Sequence, residues 1–326
     1  MSDTISAVQT QGQARSKASQ EKSWSSVLNL ARRIVTTRPD DHLVSILADL
    51  REVNISRKDP GNYYRIKEMV QPIGTEIMAR RGLTVEDRFH YPEVTCSDYR
   101  VGTISPIRYL SKLIRPNTTA VIEVGSGWSS NLLQLYLAHG TTRSKKIIYY
   151  GGEYTREGQV CGKFLAERDP ALKYRAFSFD YRNPNVEFLI RQKGHILLFT
   201  AHSVEQVDAI NPALFEQLAA LPNPVTVVHF EPVGWQRDPE LLRRREVNDT
   251  PFFEAIGAEA LRGEIASVVR NAAWWSWRLE YNRNLVPIIA RLESESTIQM
   301  VRNAWDFSGA GNVLNPSSLI HYEFVR

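Results

Sequence analysis

One stretch constrains the fold more than any other: residues 119–131, Thr-Ala-Val-Ile-Glu-Val-Gly-Ser-Gly-Trp-Ser-Ser-Asn. The apolar run from Ala120 to Val124, interrupted by Glu123, has the character of a buried parallel strand. It stops at Gly125-Ser126-Gly127. A helical spacing of Leu132, Leu133, Leu135, Tyr136 and Leu137 follows. Strand, glycine turn and helix together frame a nucleotide pocket. Glycine lets backbone approach a ligand closely, and a helix start offers N–H groups without partners.

Two readings of that turn stay open. A dinucleotide loop has the form Gly-x-Gly-x-x-Gly/Ala, and its third position here is Ser130, a partial match. An NAD-dependent oxidoreductase is therefore one alternative. The second reading starts from Glu123, two residues before the first glycine. Glu123-x-Gly125-x-Gly127 resembles motif I of the class I S-adenosylmethionine-dependent methyltransferases. The resemblance covers roughly residues 119–326. It implies an α/β, doubly wound Rossmann-like methyltransferase sheet with S-adenosylmethionine as cofactor. In such a site Glu123, Gly125, Ser126, Gly127 and Trp128 surround the methionine end. Glu153, at the tip of Lys146–Tyr150 and its Gly151-Gly152 extension, is the acid for the ribose hydroxyls. Tyr154 beside it is a candidate aromatic face for the sulfonium, and Asp180 after the third strand lies near the base.

Alternation of strands and helices from residue 119 supports a parallel sheet covered on both faces. Strands are expected at 121–124, 147–150, 174–179, 195–199 and 225–230, and a closing pair at 297–301 and 319–324. Helices are expected at 159–167, 211–221 and 285–292. Residues 235–280 are too long for a bare loop and are read as a helical insertion, with helices at 239–246 and 258–280. Trp274, Trp275 and Trp277 cannot all face one way on a helix, so part of that cluster belongs to a core.

Ahead of the glycine strand, residues 23–118 read as a helical N-terminal cap. Its helices fall at 24–35, 42–53, 62–81 and 107–114. Residues 1–22, rich in Ser, Gln and Ala, read as a disordered tail. The polar segment around 94–106 places Tyr99 and Ser105 as candidate lid residues, Tyr99 among those that contact the cofactor.

Ligands in such sheets bind beyond the carboxyl ends of the strands. That rule selects His202, Ser203 and Glu205 after the fourth strand and Glu231 after the fifth. Histidine titrates near neutrality and suits a general base. Glu205, three residues on, is placed to orient the ring or meet an amine, and Glu231 to grip an amine or hydroxyl. The plainer readings are a Ser203-x-x-Gln206 capping box and a strand-end acid satisfied by local backbone.

Composition excludes little and agrees with the rest. The chain has 43% hydrophobic and 23% charged residues and a net charge of +4. Arg243-Arg244-Arg245 reads as a solvated helix face, not a nucleic-acid patch, since no aromatic residues interleave with it. No apolar run approaches the ~20 residues of a membrane span. Two cysteines, Cys96 and Cys161, make neither a disulfide framework nor a zinc site. The absence of an apolar leader segment sets a cytoplasmic expectation.

The motifs of amino-directed nucleic-acid methyltransferases and the metal-binding acids of catechol-type enzymes are missing. No metal is expected. The resemblance then implies transfer to an N or O nucleophile of a small molecule, in specialised metabolism, by a chain whose homodimerisation stays open. A second reaction on the same cofactor is that of the azetidine-2-carboxylate synthases. These cyclise the aminobutyryl arm and release methylthioadenosine. That chemistry favours a tight, aromatic, polar-lipped cavity.

Overall fold

In the computed structural model, the described residues are 17–56, 106–261, 267–307 and 314–326. Seven strands form one sheet: β1 (Thr118–Val124), β2 (Ile148–Glu153), β3 (Tyr174–Ser178), β4 (His195–Ala201), β5 (Val225–Glu231), β6 (Ile298–Ala304) and β7 (Ser318–Phe324). Their order is β3-β2-β1-β4-β5-β7-β6. β1 to β5 run parallel, while β7 lies antiparallel between β5 and β6. This is the doubly wound sheet with a hairpin edge that the resemblance implies. The order reverses at β1, so β1 and β4 flank the crevice where such sheets bind ligands.

The central strands are β1 and β4, buried almost throughout as strands covered on both faces should be. One face packs with α4 (Ser130–His139) and α6 (Arg156–Ala166) in a core containing Leu132, Tyr136, Cys161 and Phe199. The other packs with α7 (Ala213–Ala219) and α11 (Leu285–Ser294) around Ile122, Leu198, Phe215 and Ile289. α5 (Thr141–Ser144) is a single turn between α4 and β2.

Before the sheet come α1 (Lys17–Thr37), α2 (Leu43–Ser56) and α3 (Pro106–Leu113). Residues 17–22, expected in a disordered tail, are instead the first turns of α1. Lys17, Gln20, Ser23 and Trp24 recur at i, i+3, i+6 and i+7, which puts them on one helical face. α1 lies mainly along α6, so those turns have a partner that local polarity does not reveal. The expected helix at 62–81, Tyr99 and Ser105 lie outside the described residues.

The insertion holds α8 (Pro239–Glu246), α9 (Thr250–Leu261) and α10 (Val268–Arg278), where one helix was expected over 258–280. Asp238 caps α8 by accepting from Glu240 N and Leu241 N, with Pro239 at the first position. The three helices share a separate core of Trp235, Leu241, Phe253, Ile256, Trp274 and Trp275. Trp277 stacks on Phe253 at 5.4 Å between ring centroids. No helix among the described residues is long and apolar enough to cross a membrane.

Candidate functional site

A cavity of about 320 Å³ lies beyond the carboxyl ends of β1 to β4, and α1 forms its outer wall. Its lining includes every expected cofactor residue that is described: Glu123, Gly125, Ser126, Gly127, Trp128, Glu153, Tyr154 and Asp180.

The loop after β1 is held from two sides. Gly125 and Gly127 both take positive φ, 70° and 53°, which only glycine adopts without strain. A side chain at Gly125 would meet Ser203 Cβ at 2.4 Å, and one at Gly127 would meet Trp24 Cζ2 at 2.9 Å. The turn is therefore packed between the loop after β4 and the roof helix. Ser126 N donates to Gly152 O at 2.9 Å and ties the turn to β2.

Glu123 reaches across to the start of α4. It accepts from Leu132 N at 3.1 Å and from Asn131 Nδ2 at 2.9 Å. A carboxyl group thus occupies the N-terminal end of the helix that follows the glycine loop. Burial pushes its pKa up to about 8, against the pull of those two donors. Glu153 also belongs to the loop. It accepts from Gly127 N at 2.8 Å, and from Thr155 N and Oγ1 at 2.9 and 2.7 Å. Oε2 carries one donor and keeps a lone pair for a ligand hydroxyl. Lys17 Nζ sits 4.6 Å from the Tyr154 ring centroid, a cation–π contact that brings α1 over the β2 end. Trp128 lines the cavity and also belongs to the core beneath it. Asp180 lines the cavity and accepts from Arg182 N at 2.9 Å.

Across the cleft, the polar residues after β4 and β5 have different work from that expected. Glu231 is fully buried and does not border the cavity. Its carboxyl gathers the N–H groups of Ser203, Val204 and Glu205 at 3.1, 3.2 and 3.4 Å. Burial raises its pKa to about 7. This corrects its assignment as a ligand grip: it is the anchor of the loop after β4. Glu205 also lies away from the cavity, and its Oε2 accepts from Asn315 Nδ2 at 2.8 Å. Ser203 lines the cavity, but its hydroxyl donates to Val124 O at 3.1 Å and lies 2.7 Å from Tyr181 OH. It braces β4 against β1, with no side-chain cap on the short 3-10 turn Val204–Gln206.

His202 is the member of this group that lines the cavity with a partly exposed ring; its side chain is 41% exposed. Its φ of 52° is left-handed, a strained state for a non-glycine residue that packing must hold. Both ring nitrogens have neighbours. Nδ1 lies 3.5 Å from Glu205 Oε2, and Nε2 lies 2.6 Å from Ser317 Oγ. The expected His202–Glu205 pairing is present, and Ser317, from the segment before β7, completes a chain that sequence reading missed.

Sequence reading also missed Lys17, Gln20, Ser23, Trp24 and Tyr181. Trp24 carried a usable signal, since a large aromatic stands on the same helical stripe as Lys17 and Gln20. Tyr181 directly follows Asp180. Burial raises its phenol well above the usual value, so it stays a neutral donor toward Val124 O at 2.9 Å.

Neither a protein-family model nor a curated protein matches the chain. Solved structures similar to it include the magnesium protoporphyrin IX methyltransferase ChlM from Synechocystis PCC 6803 with bound SAH. That match has 10% identity and a TM-score of 0.37 over 67% of this chain and 80% of that one. A putative caffeoyl-CoA O-methyltransferase from Staphylococcus aureus matches at 13% identity and a TM-score of 0.37, over 76% and 96%. The plantazolicin methyltransferase BpumL, in complex with a monoazolic desmethylPZN analog and SAH, matches at 10% identity and a TM-score of 0.33, over 94% and 98%.

Proposed function

We propose that the chain is an S-adenosylmethionine-dependent transferase that moves the methyl group to an N or O nucleophile of a small molecule. The observation that carries this reading is the Glu123 carboxyl at the N-terminal end of α4. In a dinucleotide site that helix end receives the pyrophosphate. Here a carboxyl group, Glu123, accepts from Leu132 N in the place such an anion would take. A carboxyl in that place suits a cationic ligand. S-adenosylmethionine supplies a methyl group already activated by its sulfonium.

The protein's part is then alignment and exclusion of water, which provide most of the advantage in such transfers. Glu153 and the Gly125–Gly127 turn hold the ribose and methionine ends. Tyr154 and Asp180 border the base, and α1 closes the roof with Trp24. Where the nucleophile must lose a proton, His202 takes it at Nε2 by displacing Ser317, while Glu205 steadies Nδ1.

A second reading has its own support. The cavity, of about 320 Å³, is walled by Trp24, Trp128, Tyr154, Phe179 and Tyr181. That lining favours cyclisation of the aminobutyryl arm within a single bound molecule. One experiment separates the readings. Purified full chain is incubated with S-adenosylmethionine alone and analysed by mass spectrometry. Methylthioadenosine formed without any acceptor selects cyclisation. S-adenosylhomocysteine that appears only with an added acceptor selects methyl transfer. Thermal stabilisation by NAD and not by S-adenosylmethionine would sink both.

A further inference from the structure

The Arg243-Arg244-Arg245 run, expected as a solvated helix face, divides in the structure. Arg243 and Arg244 pair with Glu240, and Arg244 also with Asp249. Arg245 turns inward and is 8% exposed. Among the described residues its guanidinium makes no hydrogen bond or ion pair, and its Nε is sealed from solvent without an acceptor. The charge acting on it most strongly is another cation, Arg283. The Arg283 side chain, half-buried, also makes no hydrogen bond or ion pair among the described residues. Of the nearby acids, Asp208 pairs with Arg182 at 3.3 Å, and Glu280 is exposed and makes no ion pair with either arginine.

Arg283 stands beside the cleft, and Arg245 is near enough to it to feel its charge. Asn282 N donates to Glu205 O at 3.3 Å and Arg283 N to Asp208 O at 3.1 Å. Between those two acceptors lie Gln206 and Val207, which line the cavity. A guanidinium whose Nε is sealed from solvent without an acceptor, next to a like charge, is costly unless an anion completes it. The planar fork of arginine matches a carboxylate or phosphate group.

We propose that Arg245 and Arg283 form an oxyanion seat at the rim of the cleft, which holds the carboxylate or phosphate of the molecule receiving the transferred group. The seat itself stands on the two side chains. Its link to an acceptor rests on the methyl-transfer reading above.

The test is thermal unfolding of the full chain in inorganic phosphate, in acetate and in chloride at matched ionic strength, with Arg245→Met and Arg283→Gln beside the native protein. Phosphate or acetate is expected to raise the native melting temperature above its value in chloride. The larger rise names the anion class. Arg283→Gln weakens that anion about tenfold. Arg245→Met melts at or above the native temperature in chloride and loses the anion-dependent rise, which a merely structural arginine would not do. Equal melting in all three salts, or an unchanged rise in Arg283→Gln, overturns the seat. S-adenosylmethionine is titrated in parallel. Its stabilisation is expected to persist in both variants, so its absence from the native protein counts against the cofactor reading and leaves the seat intact.

Discussion

The two walls of the cleft use buried glutamates in opposite ways. On the β1/β2 side, Glu123 and Glu153 border the cavity and shape the loop that meets the ligand. On the β4/β5 side, Glu205 and Glu231 are as deeply buried but lie away from the cavity and hold the loop in place. An acid at a strand end therefore does not define a site. What distinguishes the two walls is whether the carboxyl's oxygens are turned to a loop that itself faces the ligand.

Replacing Glu231 probes the second wall most severely. Glu231→Ala leaves three buried N–H groups without their acceptor. At ~1 kcal/mol or more for each orphaned donor, the ligand-free protein should lose about 3 kcal/mol in urea unfolding. Glu231→Gln, which keeps one acceptor oxygen, should lose much less. If Glu231→Ala unfolds like the native protein and fails only in ligand binding, Glu231 belongs with Glu123 and the contrast collapses.

Gly125 joins the two walls, so its replacement comes next. A methyl group there strains a left-handed backbone and strikes Ser203, whose hydroxyl holds Val124 O. Strain and overpacking together cost about 2 kcal/mol. Gly125→Ala should lower stability and also abolish thermal stabilisation by S-adenosylmethionine. Gly140→Ala is the control: φ there is 93°, yet nothing lies within 4 Å of the added carbon. It should cost stability alone. Equal ligand binding by both variants would show that the turn does not approach the ligand.

Legibility in the sequence follows the same division. The β1 wall is written in consecutive residues: strand, acid, two glycines and helix within 119–131. Its hydrogen bonds join residues close in the chain or on paired neighbouring strands, and every expected lining residue that is described does line the cavity. The sheet edge was legible too, because β6 and β7 carry strand patterns after the last helix. The β4 wall depends on long-range partners. Ser203 takes its place from Glu231 and Val124, and His202 from Ser317. Strand-end position selected these side chains, but only the folded chain shows which way each oxygen turns. The roof was missed for a similar reason: polar residues 17–22 look like a tail until α6 gives them a surface.

Protonation sharpens the comparison by a smaller amount. Glu123 titrates near 8 and Glu231 near 7 in the fold, against 4.5 when free. Above 4.5 the folded chain holds protons that the unfolded chain has released, so these groups favour the fold less as pH rises, until 7 and 8. Buried His229 and His195 are pushed down to about 3 and about 4 from 6.5, which weakens the fold as pH falls below 6.5. The two effects oppose each other between 4.5 and 6.5. Above 6.5 only the carboxyls act, and ligand-free stability should drop by about 2 kcal/mol by pH 8. A sulfonium beside Glu123 favours its ionised form. Binding should then release a proton and strengthen toward pH 8, by at most about tenfold per unit. Calorimetry in buffers of different ionisation enthalpy measures that release, and Glu123→Gln should remove it. A stability profile that rises from pH 6.5 to 8 would mean that Glu123 is already ionised.

His202 gives the finest test, because it touches both the cleft and the brace. With Nδ1 3.5 Å from the Glu205 carboxyl, the expected tautomer carries its proton at Nδ1, and Nε2 accepts from Ser317 Oγ. Nitrogen-15 correlation spectra of the imidazole should show the Nδ1–H tautomer, and Glu205→Gln should disturb it. His202→Asn suits the left-handed backbone and retains a group near the Nδ1 position, so it should cost under about 1 kcal/mol in stability. An Nε2–H tautomer would reverse the Ser317 bond and remove the acceptor that a general base requires. If His202→Asn keeps native stability yet loses turnover, His202 acts on the ligand. The β4 wall then combines bracing by Glu205 and Glu231 with one group of its own that reaches the chemistry.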